Sequence, residues 1–424
     1  MRDLFLGVLL LSAFPLILYR YQIGALVIGF MSFMYPQSNA YGFVLTVPWI
    51  DYFFMVTIAS YVIAQGYKQY KHHHLITYLL IFYSWLSITT VFAIDTDISY
   101  DPWLKFTKVL ILAIVVFAML NTEKRLITCM KVMVLSIGFY GIKGGIFTII
   151  SGGSYRVLGP INSFFADNNG MALILVMTLP FMLFFITHAD NIYQKYFSIF
   201  CSLCSAIAVL GTQSRTGFIA LIISFLYFTW LQKKLGKALL FIIPLTFVAY
   251  FVMADSWSER MASSAQFETD SSFQGRVDMW NASIRIVNDY PILGGGFDVI
   301  YVPEVIKKYI PYNVGSRAIH SAYFQSLAEH GYVGFGLFIV MLFLSFQAAR
   351  KLARESKYNP KLAWFNDLSI AVRSSLVGYM VLALTANIAF FDMLYFHIVI
   401  LAIASILIKK EREANRLSIL ETPS

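Results

Sequence analysis

The chain has 424 residues, of which 58% are hydrophobic, 17% are aromatic and only 13% are charged. Soluble domains carry about 25% charged residues, so this composition excludes an ordinary globular protein of the aqueous phase. A net charge of +9 would suggest nucleic-acid binding in a soluble domain, but in so apolar a chain Lys and Arg report membrane topology. The composition therefore predicts an integral protein of the lipid bilayer with no nucleic-acid partner.

Apolar runs recur along the whole chain, each long enough to cross a hydrocarbon core about 30 Å thick. We predict an all-α, polytopic membrane protein with about 12 transmembrane helices. The first run resembles a signal peptide but lacks a small-residue cleavage site before Arg20, so we expect it to be retained. The predicted spans lie near residues 1–18, 22–34, 48–65, 75–92, 103–120, 126–150, 169–187, 196–212, 216–231, 238–253, 332–347, 370–390 and 393–408.

The positions of Lys and Arg predict the sidedness of these spans. Residues 350–361 and the tail 409–424 are rich in Lys and Arg, which places them in the cytoplasm, where we expect the tail to fray. The opposite, periplasmic side carries an acidic turn at residues 95–101 and one large helical loop over residues 254–330. We interpret residues 1–424 as a single membrane domain, and the side of the N-terminus stays open.

The large loop contains the first candidate functional residue. Apolar side chains recur at helical spacing over residues 275–289, and Pro291 with the glycines at 294–296 ends this helix. Arg276 is therefore predicted in the first turn of a helix. A loop of this length between spans is uncommon unless it is functional or separately folded, so part of the active site is expected here.

A second short helix is predicted over residues 320–330, with Gly331 as its C-terminal stop. His320 therefore lies near a helix N-terminus, where the helix dipole disfavours the imidazolium form. A neutral ring is the state that a general base needs. The alternative interpretation of His320 is a hydrogen-bonded cap or a solvent-facing histidine.

Three cations on the periplasmic side are candidates for phosphate binding. Arg215 lies at the end of a predicted span, where it can hold a phosphate bidentately or anchor the helix at the interface. Lys143 lies roughly 12 Å inside a span, and Arg156 lies in the following loop. Lys143 either binds an anionic headgroup or extends to the interface. Because cations favour the cytoplasmic side, their presence here indicates a bound anion such as a phosphate.

The sequence indicates neither a metal site nor a cofactor. Three consecutive histidines at 72–74 point in different directions and are interpreted as a polar loop. Asp95 and Asp97 fall in the acidic turn, which is expected to be solvated. The glycines at 294–296 lack the Lys-Ser/Thr of a phosphate-binding loop. The cysteines have no metal-ligand spacing and are interpreted as packing residues: Cys129, Cys201 and Cys204.

The order and sidedness of these motifs resemble the O-antigen ligase and polymerase superfamily. The motifs that carry the resemblance lie at residues 214–217, 275–280, 291–296 and 320–334. The start of the chain, with Tyr35, Pro36 and Trp49, resembles more narrowly the O-glycosylation ligases found with exosortase systems. Together these segments cover nearly the whole chain.

The resemblance implies a glycosyltransferase of the bacterial inner membrane that works without a metal or cofactor and inverts the sugar. Its donor is a glycan on undecaprenyl diphosphate, and its acceptor is a hydroxyl of the lipid A core or of a protein Ser or Thr at the periplasmic face. By the same resemblance, Arg215 and Arg276 hold the diphosphate, and His320 deprotonates or orients the acceptor. Arg156 and Lys143 are further candidate substrate-binding cations. Ser321 departs from the family, which usually has Asn there.

Two alternatives remain open. A polysaccharide polymerase uses the same diphosphate cations and differs only in its acceptor. A transporter or flippase of lipid-linked glycans requires charged residues through the depth of several spans, whereas here Lys143 is the main one. Most of the candidate phosphate-binding cations lie in periplasmic turns rather than within spans, which favours chemistry at the membrane surface.

Overall fold

The computed structural model describes residues 2–40, 42–66, 72–236, 243–244, 246–247, 271–310, 317–357 and 359–420. The regular elements within these residues are all helical, which confirms the predicted all-α class. The α-helices are α1 Arg2–Tyr19, α2 Tyr21–Met34, α3 Phe43–Thr46, α4 Trp49–Ile63, α5 His74–Val91, α6 Thr96–Met119, α7 Glu123–Ile150, α8 Asn168–Thr187, α9 Ile192–Gly211, α10 Arg215–Leu231, α11 Ser271–Asp289, α12 Pro303–Tyr309, α13 Ala322–Ser356, α14 Ala363–Leu382 and α15 Asp392–Leu420.

Many of these helices suit a lipid bilayer. Among the described residues, seven are long and apolar enough to cross a membrane, namely α5, α6, α7, α8, α9, α13 and α15. The apolar helices α1, α4 and α10 are shorter. The predicted span at residues 238–253 falls almost entirely outside the described part of the chain, so the count of about 12 spans stays a prediction.

Two helices form the centre of the bundle. In the most apolar part of α8, 83% of the residues are buried, and in that of α15 the share is 78%. Such extensive burial is expected for a helix segment that other helices surround. α9, α10 and α14 pack around α8, and α5, α6 and α13 pack against α15.

Small residues form the contact between α7 and α9. A Cβ atom on Gly145 would lie 2.3 Å from the carbonyl oxygen of Cys204, and one on Gly141 would lie 2.0 Å from Ser205 Oγ. Apolar side chains gain little by leaving lipid for each other, so membrane helices associate through close backbone packing. The three cysteines are buried and form no disulfide, in agreement with the predicted packing role.

A second, smaller core lies at one end of the bundle, which we call the loop end. It is built from α11, α12 and the first turns of α13, and Ile94 and Ile98 from the junction of α5 and α6 pack against it. The predicted loop at 254–330 thus contains helical structure, although its residues 254–270 and 311–316 lie outside the described residues. The largest buried side chains of this core include Met279, Ile286, Ile300 and Tyr309.

Gly331 divides α13 into two helical pieces, as its predicted role as a helix stop requires. Its backbone has φ 69° and ψ −173°, a conformation open mainly to glycine. A Cβ atom at this position would lie 2.2 Å from the carbonyl oxygen of Ile292. The close approach allows Tyr332 N–H to donate to the carbonyl oxygen of Pro291 at 2.8 Å, which joins α13 to the segment after α11.

The structure corrects three predicted boundaries. The acidic segment 95–101 is the start of α6, because Asp95 caps the helix by accepting from Asp97 N–H at 3.0 Å. α14 ends at Leu382, earlier than the predicted 390, and residues 383–391 form a turn. The tail that was predicted to fray is helical to Leu420. Near its start, an ion pair of 3.4 Å between Arg412 and Glu355 connects it to α13.

Candidate active site

Arg215 begins α10 at the loop end, as predicted. The helix is capped by Ser214, whose Oγ accepts from Gly217 N–H at 3.1 Å and donates to Asn169 Oδ1 at 2.8 Å. The second bond ties the start of α10 to the start of α8. Arg215 itself is exposed.

Arg156 lies beside the turn that leads into Arg215. Its Nε donates to Gln213 Oε1 at 3.3 Å, and Gln213 Nε2 donates to the carbonyl oxygen of Gly153 at 2.9 Å. Val157 N–H also donates to the carbonyl oxygen of Gly211 at 2.8 Å. These bonds bring two of the predicted cations to neighbouring positions.

His320 directly precedes Ser321, the N-cap of α13. The helix starts two residues later than predicted because Ser321 provides the cap, with Oγ accepting from Phe324 N–H at 3.5 Å. His320 has φ 54°, a left-handed conformation that costs energy for a residue with a side chain. The backbone on its C-terminal side is held in place, since Ala322 N–H donates to the Ala383 carbonyl oxygen at 2.8 Å.

Arg276 lies in the second turn of α11, and its predicted place in the first turn is wrong because the helix spans Ser271–Asp289. Trp280, one turn further on, fixes α11 against the segment that carries His320. Its Nε1 donates to the Ile319 carbonyl oxygen at 3.0 Å, and its ring stacks on Phe324 with centroids 5.3 Å apart. The backbone next to His320 is thereby held by the helix that carries Arg276.

The electrostatic environment keeps His320 neutral near pH 7. Burial lowers the pKa of His320 below the ordinary histidine value of 6.5, and the positive charge of Arg276 lowers it further. The carboxylate of Asp167 acts in the opposite direction and raises the pKa of His320. A half-buried, neutral imidazole between a cation and a carboxylate can accept a proton and then be stabilised as the imidazolium.

The turn at residues 383–391 connects the two halves of the site. Thr385 Oγ1 donates to Thr216 Oγ1 at 2.8 Å, next to Arg215. The same turn accepts the hydrogen bond from Ala322 N–H, next to His320. We call Arg215, Arg276, His320 and Asp167 the loop-end cluster, because these contacts and charges assemble them from four separate segments.

Asp167 and Thr385 were not predicted as site residues. Asp167 carries a recognisable signal, since it precedes a predicted span as an N-cap and accepts from Asn169 N–H at 2.8 Å and Gly170 N–H at 3.0 Å. Nothing in the sequence around Thr385 marks it, because its importance lies in a contact with a residue far away in the chain.

The predicted motif at residues 291–296 forms the joint between α11 and α13. Gly295 N–H donates to the carbonyl oxygen of Ala328 at 2.9 Å, and Gly296 N–H donates to that of Glu329 at 2.8 Å. The buried carboxylate of Glu329 accepts from Asp298 N–H at 3.2 Å. These hydrogen bonds set the position of α11, which carries Arg276, relative to α13, which follows His320.

Lys143 lies apart from these contacts. Its side chain is exposed on α7 in a stripe of apolar side chains that face away from α9. Within the described residues its ammonium group has no hydrogen bond or ion pair, and a membrane helix presents such a stripe to lipid. The other members of the stripe are Leu135, Phe139, Ile146 and Ile150.

Comparison with known proteins agrees with the motif pattern. Residues 200–339 match the family described as O-antigen ligase, and residues 1–190 match a family of unknown function, DUF5935. No curated protein matches the chain. The first match includes Arg215, Arg276 and His320, and it supports the predicted superfamily; the association with exosortase systems stays a prediction.

Proposed function

We propose, because residues 200–339 match the O-antigen ligase family, that the chain transfers a glycan from undecaprenyl diphosphate to an acceptor hydroxyl at the periplasmic face of the bacterial inner membrane. The observation that carries the proposal is the loop-end cluster, where the charge of Arg276 lowers the pKa of the half-buried His320 and hydrogen bonds to the turn at residues 383–391 connect the start of α10, with Arg215, to the start of α13. Such a cluster provides both functions that the reaction needs, an anion site and a proton acceptor.

The arginines act on the leaving group. As the acceptor oxygen attacks the anomeric carbon, the bond from that carbon to the phosphate oxygen breaks and its electron pair stays on the diphosphate. Arg215 and Arg276 stabilise this developing charge through charge-assisted hydrogen bonds, which are stronger in a site partly removed from water. Arg156, beside the turn before Arg215, is a third cation for the same anion.

His320 acts on the acceptor. The acceptor hydroxyl loses its proton as the new glycosidic bond forms, and the neutral imidazole of His320 accepts it. The imidazolium that results is stabilised by the nearby carboxylate of Asp167, whose charge raises the pKa of the ring. Attack from the face opposite to the leaving diphosphate inverts the anomeric centre.

The experiment distinguishes three candidate acceptors, namely the lipid A core, a protein Ser or Thr, and a second carrier-linked glycan. The test incubates the purified protein with a glycan on undecaprenyl diphosphate and each acceptor in turn, and mass spectrometry identifies the products. We expect one glycosylated acceptor with wild-type protein and none with His320→Ala. A second carrier-linked glycan as the only acceptor would identify a polymerase, and an intact donor with every acceptor would contradict the transferase.

A further inference from the structure

A cavity of about 590 Å³ lies at the loop end, lined by residues outside the loop-end cluster. Its size is within the range of about 300–1,000 Å³ that ligand sites commonly have. α4 and α6 both pack against α2, and the cavity is the cleft that remains between them. Its apolar walls include Ile28 of α2, Ile50 and Phe54 of α4, and Val109 and Leu112 of α6.

The cleft is also lined by polar side chains. Asp392, at the start of α15, and the side chain of Lys105 line it. Gln37 also lines it, and the Oε1 atom of Gln37 is buried without a hydrogen-bond partner in the part of the chain that the structure describes. An ion pair of 3.0 Å between Lys108 and Asp51 joins α6 to α4 beside the cleft. An unsatisfied buried acceptor costs free energy, so the position beside Gln37 suits a ligand that donates a hydrogen bond.

The cleft adjoins the loop-end cluster through two shared segments. Phe164 lines the cleft, and its ring contacts Phe391 with centroids 4.9 Å apart. Phe164 lies three residues before Asp167 of the cluster. The turn at residues 383–391, which ends at Phe391, accepts a hydrogen bond from Ala322 N–H near the start of α13. The cleft is therefore connected to the segment that carries His320 through Phe164 and the turn at residues 383–391.

We propose that the cleft binds the apolar chain of a lipid-anchored substrate, with the headgroup phosphate beside Lys105 and a hydroxyl or amine donating to Gln37. This inference rests on the proposed function and assigns a role to the N-terminal region, whose match has no known function. It also accounts for two residues that the transfer chemistry leaves unused, since Tyr35 and Trp49 both line the cleft.

The shared chemistry, an apolar chain with a phosphate-bearing polar head, fits both the polyprenyl donor and an acylated glycolipid acceptor. The test therefore uses two photoreactive probes, undecaprenyl phosphate and a phosphorylated, acylated disaccharide, and measures crosslinked protein by mass spectrometry. Ile50→Trp fills the cleft from α4. Met55→Trp is the matched control, because Met55 is 55% exposed on the same helix and does not line the cleft.

We expect Ile50→Trp to reduce labelling by one probe about tenfold, since displacing even two buried methylene groups has an effect of this size. The responding probe identifies the source of the chain. Gln37→Leu, which keeps the cleft volume, is expected to reduce the same labelling about threefold. It serves as the second variant if Ile50→Trp fails to fold, as judged by its elution profile and thermal midpoint.

Equal labelling of wild type, Gln37→Leu and Ile50→Trp by both probes would overturn the cleft assignment. If transfer still depends on His320 in that case, the proposed function stands without the cleft. Loss of labelling in Ile50→Trp with no transfer by the wild type would instead support the lipid site and contradict the transferase.

Discussion

The loop-end cluster and the contact between α7 and α9 are built in opposite ways. The cluster combines four segments that are distant in the chain, and its residues are polar and partly exposed. The α7–α9 contact joins two helices through small residues such as Gly141 and Gly145 that leave no room for a side chain. Because of this difference, we expect substitutions in the loop-end cluster to change activity while the fold persists. Substitutions in the α7–α9 contact should instead change the stability of the fold.

The largest expected effect is on activity. His320→Ala is predicted to lower the transfer rate by about 10²- to 10⁴-fold, the range for a lost general base, with an unchanged thermal midpoint. A transfer assay with purified protein measures the rate, and His72→Ala is the control. His72 precedes α5, whereas the rest of the predicted polar loop at 72–74 is wrong, because His73 caps α5 and His74 begins it. Transfer by His320→Ala at the wild-type rate would remove this residue from the mechanism.

The next effect is on stability. Gly145→Ala is predicted to destabilise the protein by about 1–3 kcal/mol, because its Cβ would meet the backbone of α9 and a packed interface cannot absorb it. Gly29→Ala in α2 is the matched control, since no atom of the described residues outside the nearby backbone of α2 lies within 4 Å of its added Cβ. Thermal unfolding in detergent distinguishes them, and equal midpoints for the two variants would show that the α7–α9 contact is loosely packed.

A smaller effect concerns pH. The neutral ring is the active form and the pKa of His320 is lowered, so transfer should persist as pH falls through 6.5 and decline only below it. Asp167→Asn keeps the N-cap of α8 but removes the charge that raises the pKa of His320. The decline of the transfer rate on the acid side of the pH profile should therefore move to lower pH. Arg276→Gln should move it to higher pH. Profiles of transfer rate against pH that coincide for all three proteins would contradict the electrostatic account.

The smallest effects separate the outer cations. Arg156→Ala is predicted to raise the donor KM about three- to tenfold, because Arg156 lies beside the turn before Arg215. Lys143→Ala, on the exposed stripe of α7, should change it less than about twofold. Steady-state kinetics with the lipid-linked donor compares the two. A larger effect of Lys143→Ala would instead support the interpretation of Lys143 as a headgroup-binding residue.

Local sequence signals predicted the elements of the site better than their assembly. Glycine and capping patterns located the helix stop at Gly331 and the start of α10 at Arg215, because each depends on only a few neighbouring residues. The cap at Ser321 shifted the start of α13, and α11 begins before the predicted glycine. Boundaries moved because competing caps and tertiary contacts differ little in free energy.

The contacts that assemble the site were not predictable from periodicity. The Thr385–Thr216 bond and the charge of Asp167 near His320 depend on how helices pack, which a single sequence does not specify. The exposed stripe that includes Lys143 likewise required knowledge of which face of α7 meets α9. Candidate residues could therefore be selected from the sequence by residue type, whereas their arrangement required the structure.

The most direct test of the central claim measures binding of undecaprenyl diphosphate to wild type, Arg215→Ala, Arg276→Ala and His320→Ala. If the arginines hold the diphosphate and His320 acts on the acceptor, each arginine variant should bind about tenfold more weakly or worse. His320→Ala should bind as the wild type does while transfer is lost. Wild-type binding by both arginine variants would contradict the assignment of the loop-end cluster as the diphosphate site.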